Sequence, residues 1–549
     1  MLYEDLVLII LEVIFTIGLY VLAGYAEKVI SPKWRLCYVV PAVVCMFVIA
    51  VFGFEISMLG VYIGAVLLLA GFVKEEAKIR KTVSGIAGLG ILLSVVICNL
   101  NPGYRAPDYV EDFNRAFEEM KAHYVLTEHK EINWDALYEK YLPRFEKADK
   151  NHDEIADFLA WSAFTAEFHD GHVAYAPTDE EVMKRALEQI CGNDYGLSLM
   201  SLSGGDIVAV NVEPDSSIAK AGIHNGTVIT AWDGKEIEEA VKESEENGVK
   251  LQGYASKKNE AFYRALPAAG MGGDSITISF LDDSGKEQSV KADKMGTYKE
   301  RWENSVEVIN QGREISNLEW EEIDEDTALM RMRFMNYDAQ GNFDQMEKDI
   351  RNRLVELKEA GVENLIFDLR SNGGGSGAYV KHIIKLIAPV GEHVYAYDGV
   401  LDMETFTYKK DTEKGTYEVG ECETYQGEDL WGHGKIIILV NAVTGSAGDH
   451  FTQLASAFPN VTVMGFTHSG CSAQGMHGVE FEYGTLTYSA VLLLNEDGTI
   501  FIDTDNSRDS TVPLDVQIPF DEEAVKVLFD QGEDYVLQYV MSYLKRNNN

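Results

Sequence analysis

The sequence predicts a multidomain fold: four N-terminal transmembrane helices, a helical segment, a β-rich domain and a closing α/β domain. Three features of its 549 residues predict this. Long apolar stretches are confined to the first hundred positions. Apolar residues at helical spacing dominate the next stretch, and beyond about residue 305 buried strands alternate with helices. A chain of this length holds several domains, and shifts in composition divide it at 1–103, 104–185, 186–295, 296–531 and 532–549, the last read as a tail.

The four apolar stretches are Leu6–Tyr25, Leu36–Phe52, Ile56–Val73 and Val83–Leu100. Each approaches the ~20 residues that cross a ~30 Å hydrocarbon core. The start, Met-Leu-Tyr-Glu-Asp, lacks the basic residues of a cleavable signal peptide. Lysine and arginine gather in the connections Glu27–Arg35 and Lys74–Lys81, which positive-inside logic puts in the cytoplasm. The expected location is therefore multi-pass in the cell membrane, with everything after Leu100 extracytoplasmic. Glu12, inside the first span, fits either a functional intramembrane carboxyl or a protonated side chain near the interface. Residues 1–100 hold seven Lys/Arg and seven Asp/Glu, so the formal net charge of -41 rests on residues 101–549. An acidic surface repels nucleic acid, so no nucleic-acid partner is expected, and its simpler use is solubility. The six cysteines show no CxxC spacing; no metal or cofactor is expected and no disulfide framework is implied.

Asp112–Ala176 reads as helical through DFNRAFEEMKAHYVL, DALYEKYLPRF and EIADFLAWSAFTAEF, until Asp170-Gly171 breaks the pattern and VAY suggests a strand. Residues of about 190–293 run through the alternating strand IVAVNV, then EPDSSIAKAGIHNGTVITAWDGKEI, then the hairpin DSITISFLDDSGKEQSVKA with its turn at Asp282–Gly285. This order resembles a PDZ domain, with Thr227 where that family usually has Asp. The resemblance implies that free C-terminal tails add a strand to a sheet edge while backbone N–H groups receive the carboxylate. Tyr195, Gly196 and Leu197 match the carboxylate loop. A PDZ fold that only packs against its neighbour is the plainer alternative.

Two glycine-rich turns follow buried strands in the last domain. In FDLRSNGGGSG, Gly373, Gly374 and Gly375 permit unusual backbone angles and close approach to a ligand. In KIIILVNAVTGSAGDHF, Ser446 lies between a strand and a helix. Ser446 with Asp449 three residues on also fits a helix capping box, whereas a nucleophile there would gain from the positive helix N-terminus. Taken in order, Asp-Leu-Arg-x-Asn-Gly-Gly-Gly, a buried strand ending in Val-Asn, and Thr-x-Ser-Ala-Gly-Asp resemble the catalytic domain of the C-terminal processing peptidase and tricorn-core family. INWDALYEKYLPRF and FHDGHV in the helical segment extend the resemblance to residues of about 105–530.

That resemblance implies a ClpP/crotonase-like α/β core and a serine endopeptidase acting on exported proteins or peptides. Ser446 matches the nucleophile, and the N–H groups of Ala447 and of Gly373 or Gly374 match the oxyanion hole. One branch of the family uses a Lys base, but Cys471 stands at its position. The tricorn branch uses a His, matched by His172; an imidazole, with an ordinary pKa of ~6.5, suits a general base at neutral pH. A carboxylate that orients the His is expected within DTDNSRDSTVPLDVQIP, where Asp505 and Asp509 are candidates. His468 and His477 are rival bases. A catalytically lapsed scaffold that binds tails through the PDZ domain is the alternative function, and the oligomeric state is open.

Overall fold

The computed structural model describes residues 108–247, 254–311, 317–336 and 342–547. Among these, no helix is long and apolar enough to cross a membrane. The expected fold class is corrected accordingly: the described residues form an α/β domain with helical and β-rich additions, and no helix among them supports a membrane span. The four apolar stretches and Glu12 lie outside the described residues.

Three helices, Tyr109–His123, Trp134–Asn151 and Glu154–Ala166, open the described chain. Asn133 and Asp153 cap the second and third by accepting hydrogen bonds from Ala136 N–H and Ala156 N–H. Their apolar stripes meet in an aromatic core in which Phe113 stacks on Phe145 at 4.2 Å between ring centroids. The chain then breaks at Asp170-Gly171, and strand Ala174–Pro177 pairs antiparallel with Gly484–Val491, far along the sequence. This pairing fixes the segment holding His172 against the α/β domain.

Residues 193–297 form a β-rich insert. Strand Ser198–Ser201 pairs with Ile207–Val210, and Ile229–Trp232 with Ser275–Leu281, which pairs in turn with Glu287–Asp293. Leu197, Leu199, Ile218, Trp232 and Ile278 are buried in its core. Helix Lys257–Tyr263 and the residues just before it lean out of this unit toward the α/β domain.

The α/β domain is a six-stranded sheet in the order Leu318–Asp324, Thr327–Met332, Asn364–Asp368, Lys435–Leu439, Val461–Gly465, Val516–Gln517. The first pair is antiparallel and the rest are parallel. Both faces are covered, which is why these strands read as continuous apolar runs. Leu365, Phe367, Ile436 and Ile438 pack under helices Phe343–Glu359, Gly377–Ile387 and Ala447–Ser456. Ile366, Ile437 and Leu439 face the other way, against Leu528, Val536 and Val540. Residues 535–547, expected to be a tail, thus form a helix that covers the sheet. Asp368 and Leu439 are paired at the same end of adjacent parallel strands, so the turns that follow them leave the sheet side by side.

Candidate active site

The serine turn is built by local hydrogen bonds. Asn441 Oδ1 accepts from Val443 N–H at 3.1 Å, Thr444 N–H at 3.2 Å and Ser371 N–H at 3.1 Å, tying it to the neighbouring glycine turn. Gly445 N–H donates to Asn372 O at 2.9 Å and Ser446 N–H to Ser472 O at 2.8 Å. Ser446 is held at φ 54°, ψ -120°, outside the ordinary regions for a residue with a Cβ. Such a conformation costs ~1–3 kcal/mol and needs surroundings that enforce it. Its side chain makes no capping bond to the helix it starts. The capping-box alternative therefore does not hold: Asp449 Oδ2 instead accepts from Ser472 N–H at 3.0 Å. Burial pushes the Asp449 carboxyl up to about 7.

The glycine turn needs its glycine where it meets this serine. Gly374 sits at φ 97°, and a Cβ there would lie 2.5 Å from Ser446 Cβ and 2.9 Å from Ala447 N. Gly374 N–H is taken by Asn372 Oδ1 at 2.9 Å. Gly373, which lines the cavity beside Ser446, and Ala447, in the first turn of the helix, are the two expected oxyanion donors that remain.

Ser446 and His172 line one cavity of about 200 Å³, together with Gly373, Ser472, Tyr254 and Asn259. His172 is buried; its backbone N–H donates to Asp170 Oδ1 at 2.9 Å and its Nδ1 has no partner. Asp170 Oδ2 accepts from Tyr124 at 3.0 Å and Ser489 at 2.9 Å, which immobilises the turn before the imidazole. Ser472 joins the two halves, since its Oγ accepts from Gly171 N–H at 2.7 Å while its carbonyl holds Ser446. His468 is half-buried with Nδ1 3.5 Å from Val512 O, and His477 lies exposed on strand Gly475–Glu480; neither lines the cavity. Cys471 is buried with its thiol pushed up to about 11, by burial first and then by Asp449, so it supplies no base.

Asp505 and Asp509 are exposed. Asp505 Oδ1 accepts from Ser507 N–H at 2.9 Å and Asp509 Oδ2 from Ser507 Oγ at 3.3 Å, so both shape a surface turn instead of meeting the histidine. Asp503, by contrast, is 2% exposed, and the charge of His172 is among the influences that favour its ionised form. Its Oδ2 accepts from Ala473 N–H at 3.0 Å and Gln474 Nε2 at 3.1 Å, while its Oδ1, like His172 Nδ1, is buried without a partner. Burial and then the charge of Asp170 raise this carboxyl above the usual range; Lys130, which donates to Thr504 O at 2.9 Å, and His172 pull against them. Sequence reasoning passed over Asp503, although its place directly after Phe501 and Ile502 is the signal of a buried acid.

In the insert, Tyr195 is buried with its hydroxyl donating to Gly273 O at 2.7 Å, and Leu197 is buried in the core. Gly196 N–H donates to Asp194 Oδ1 at 2.8 Å, and Asp194 pairs with Arg301 at 2.7 Å.

Residues 326–505 match the family model for peptidase family S41, and residues 106–160 match that for the tricorn protease C1 domain. Over these two stretches the chain is similar to peptidase family S41 and to the tricorn protease. It is a serine-type peptidase, and peptides or proteins are its substrates. Among solved structures, mature CPAF aligns at 13% identity and a TM-score of 0.52, over 81% of this chain and 99% of that one. CPAF complexed with lactacystin aligns at 13% identity and 0.51, with the same coverage. At that identity the likeness of this serine peptidase to CPAF is one of fold. The photosystem II D1 C-terminal processing protease gives 15% identity and a TM-score of 0.35, over 77% of this chain and 97% of that one. No curated protein matches the chain.

Proposed function

We propose that this S41 peptidase cuts peptide bonds with Ser446 as nucleophile, His172 as general base and Asp503 as the carboxylate that orients the imidazole. The observation that carries the reading is the shared cavity. A strained serine with no capping role opens into the same space as a buried histidine, and the histidine's unpaired Nδ1 has a counterpart in the unpaired Oδ1 of Asp503.

His172 takes the hydroxyl proton as Ser446 Oγ attacks the peptide carbonyl. The developing oxyanion is met by the N–H groups of Gly373 and Ala447, the latter at the positive end of a helix. The imidazolium then hands its proton to the departing amine. Water, activated by the same histidine, releases the acyl group from serine. Asp503 stays ionised and stabilises the imidazolium throughout.

The β-rich insert is proposed to hold substrate tails in the PDZ manner. A terminal carboxylate arriving at Gly196 would exchange with the carboxylate of Asp194, which accepts that N–H in the free protein.

Ser446→Ala is expected to abolish peptide hydrolysis, and a fluorophosphonate is expected to label the wild type but not this variant. His172→Ala should lose at least about a hundredfold in kcat while peptide binding persists. Hydrolysis by Ser446→Ala at the wild-type rate would overturn the assignment.

A further inference from the structure

The cavity at Ser446 is not walled by the α/β domain alone. Tyr254, Ala255 and Asn259 belong to the insert, yet all three line it. Nothing in their own sequence keeps them there, because they lie in a short connection and the first turns of the Lys257–Tyr263 helix. What keeps them there is a set of bonds from elsewhere. Arg508 donates from Nη2 to Tyr254 O at 2.9 Å and from Nε to Ala255 O at 3.3 Å, and its Nη2 also reaches Glu260 Oε2 at 2.6 Å. Its own carbonyl accepts from Lys257 N–H at 3.1 Å. One guanidinium thus satisfies two backbone carbonyls of the cavity wall and an acid just beyond it.

Arg508 itself is fixed. It stands at φ 61° in the turn that follows Asp503, with its N–H donating to Asp505 O at 3.1 Å. Ser510 Oγ lies 2.7 Å from Ser256 Oγ, and Thr504 Oγ1 donates to Ala255 O at 3.3 Å, so the turn and the wall are joined at both ends. Asn259 adds a separate grip, Nδ2 donating to Ser469 O at 2.9 Å.

We propose that the insert segment Tyr254–Asn259 forms one wall of the substrate site and that Arg508 is the positioning residue that fixes this wall. The assignment rests on the peptidase reading above and adds to it where specificity resides. Arg508 touches no reacting atom; it acts through the Tyr254 and Ala255 carbonyls. Its planar fork is what permits several acceptors to be held by one side chain, so a lysine, a point charge with a single head group, retains only part of the function.

The test compares wild type, Arg508→Lys and Arg508→Met as full chains. Each is hydrolysing a set of peptides that differ in one residue, from Ala through Leu and Phe to Asp. Rates are normalised to sites titrated by a fluorophosphonate. Arg508→Met is expected to raise KM about tenfold and to compress or reorder the ranking of kcat/KM across the set. Its kcat per titrated site should change less than about threefold, with Arg508→Lys in between. A purely structural role would lower the fraction of titratable sites and leave both KM and the ranking as in the wild type. That result overturns the proposal, as does a fall in kcat per site with KM unchanged. If Arg508→Met does not fold, Tyr254→Ala is measured in the same set, and an unchanged KM and ranking there overturns the proposal as well. Failure of the peptidase reading is recognised separately, because the wild type would then neither take the label nor cut any peptide.

Discussion

Asp503 and His172 illustrate how a buried acid is made useful. Alone, a carboxylate at 2% exposure would bind a proton to escape the cost of burial. Here Ala473 N–H, Gln474 and the charge of Lys130 offset part of that cost, and the remaining oxygen, buried without a partner, is the one the proposed mechanism assigns to His172. Replacing it by Asp503→Asn is expected to lower kcat/KM on the order of a thousandfold, as for other orienting carboxylates whose loss misplaces the tautomer. Asp505→Asn and Asp509→Asn should stay within about twofold of wild type, since both acids face solvent and their carboxylates accept from Ser507 in a surface turn. A steady-state comparison of the three variants decides between them. Ser446 and His172, which line one cavity, stand out in the sequence because each sits beside glycines in a motif with a fixed order. The sequence points to Asp505 and Asp509 and passes over Asp503, whose one mark is the preceding Phe501-Ile502 pair, because inside and outside reverse within two residues along an irregular turn.

The helices at the start of the described chain carry an electrostatic weakness of their own. Asp157 is 4% exposed, and burial first, then Asp112, Asp149 and Glu154, push its carboxyl up to about 8. Between the ordinary carboxylate range and that value the folded state keeps a proton that the unfolded chain gives up. Stability therefore falls as pH rises through this window and levels off above it. Asp157→Asn should remove that slope, leaving pH 4 stability nearly unchanged and raising it at pH 9 on the order of several kcal/mol. Unfolding curves at pH 4, 7 and 9 test this, and parallel curves for the two proteins would refute it. These helices were readable from apolar spacing, and so were the runs NLIFD and KIIIL, whose residues alternate between the two covered faces of the sheet. The last helix was not foreseen: Val536, Val540 and Leu544 form a narrow stripe in a polar stretch, and its meaning depends on a sheet face that only tertiary structure supplies.

Across the whole molecule, distant parts of the chain converge on the root of the glycine turn. Arg370 is buried between Asp368 and Asp534, bonding to Asp534 at 2.9 and 2.7 Å, and Asp534 also accepts from Leu537 N–H at 3.0 Å in the final helix. Asp534→Ala leaves the guanidinium buried with half its compensation, and a loss of about 3–5 kcal/mol in urea unfolding is expected. A variant as stable as wild type would mean that Asp368 alone suffices. The same long reach governs when the enzyme can work. Ser446, His172 and Gly373 all precede residue 447, whereas Asp503, Arg508 and Asp534, which holds Arg370, all follow it. On the proposed assignment, a chain emerging from the ribosome carries Ser446 before it carries the groups that would make it reactive. Biosynthesis itself would then act as a delay that keeps an unfinished peptidase from cutting its surroundings.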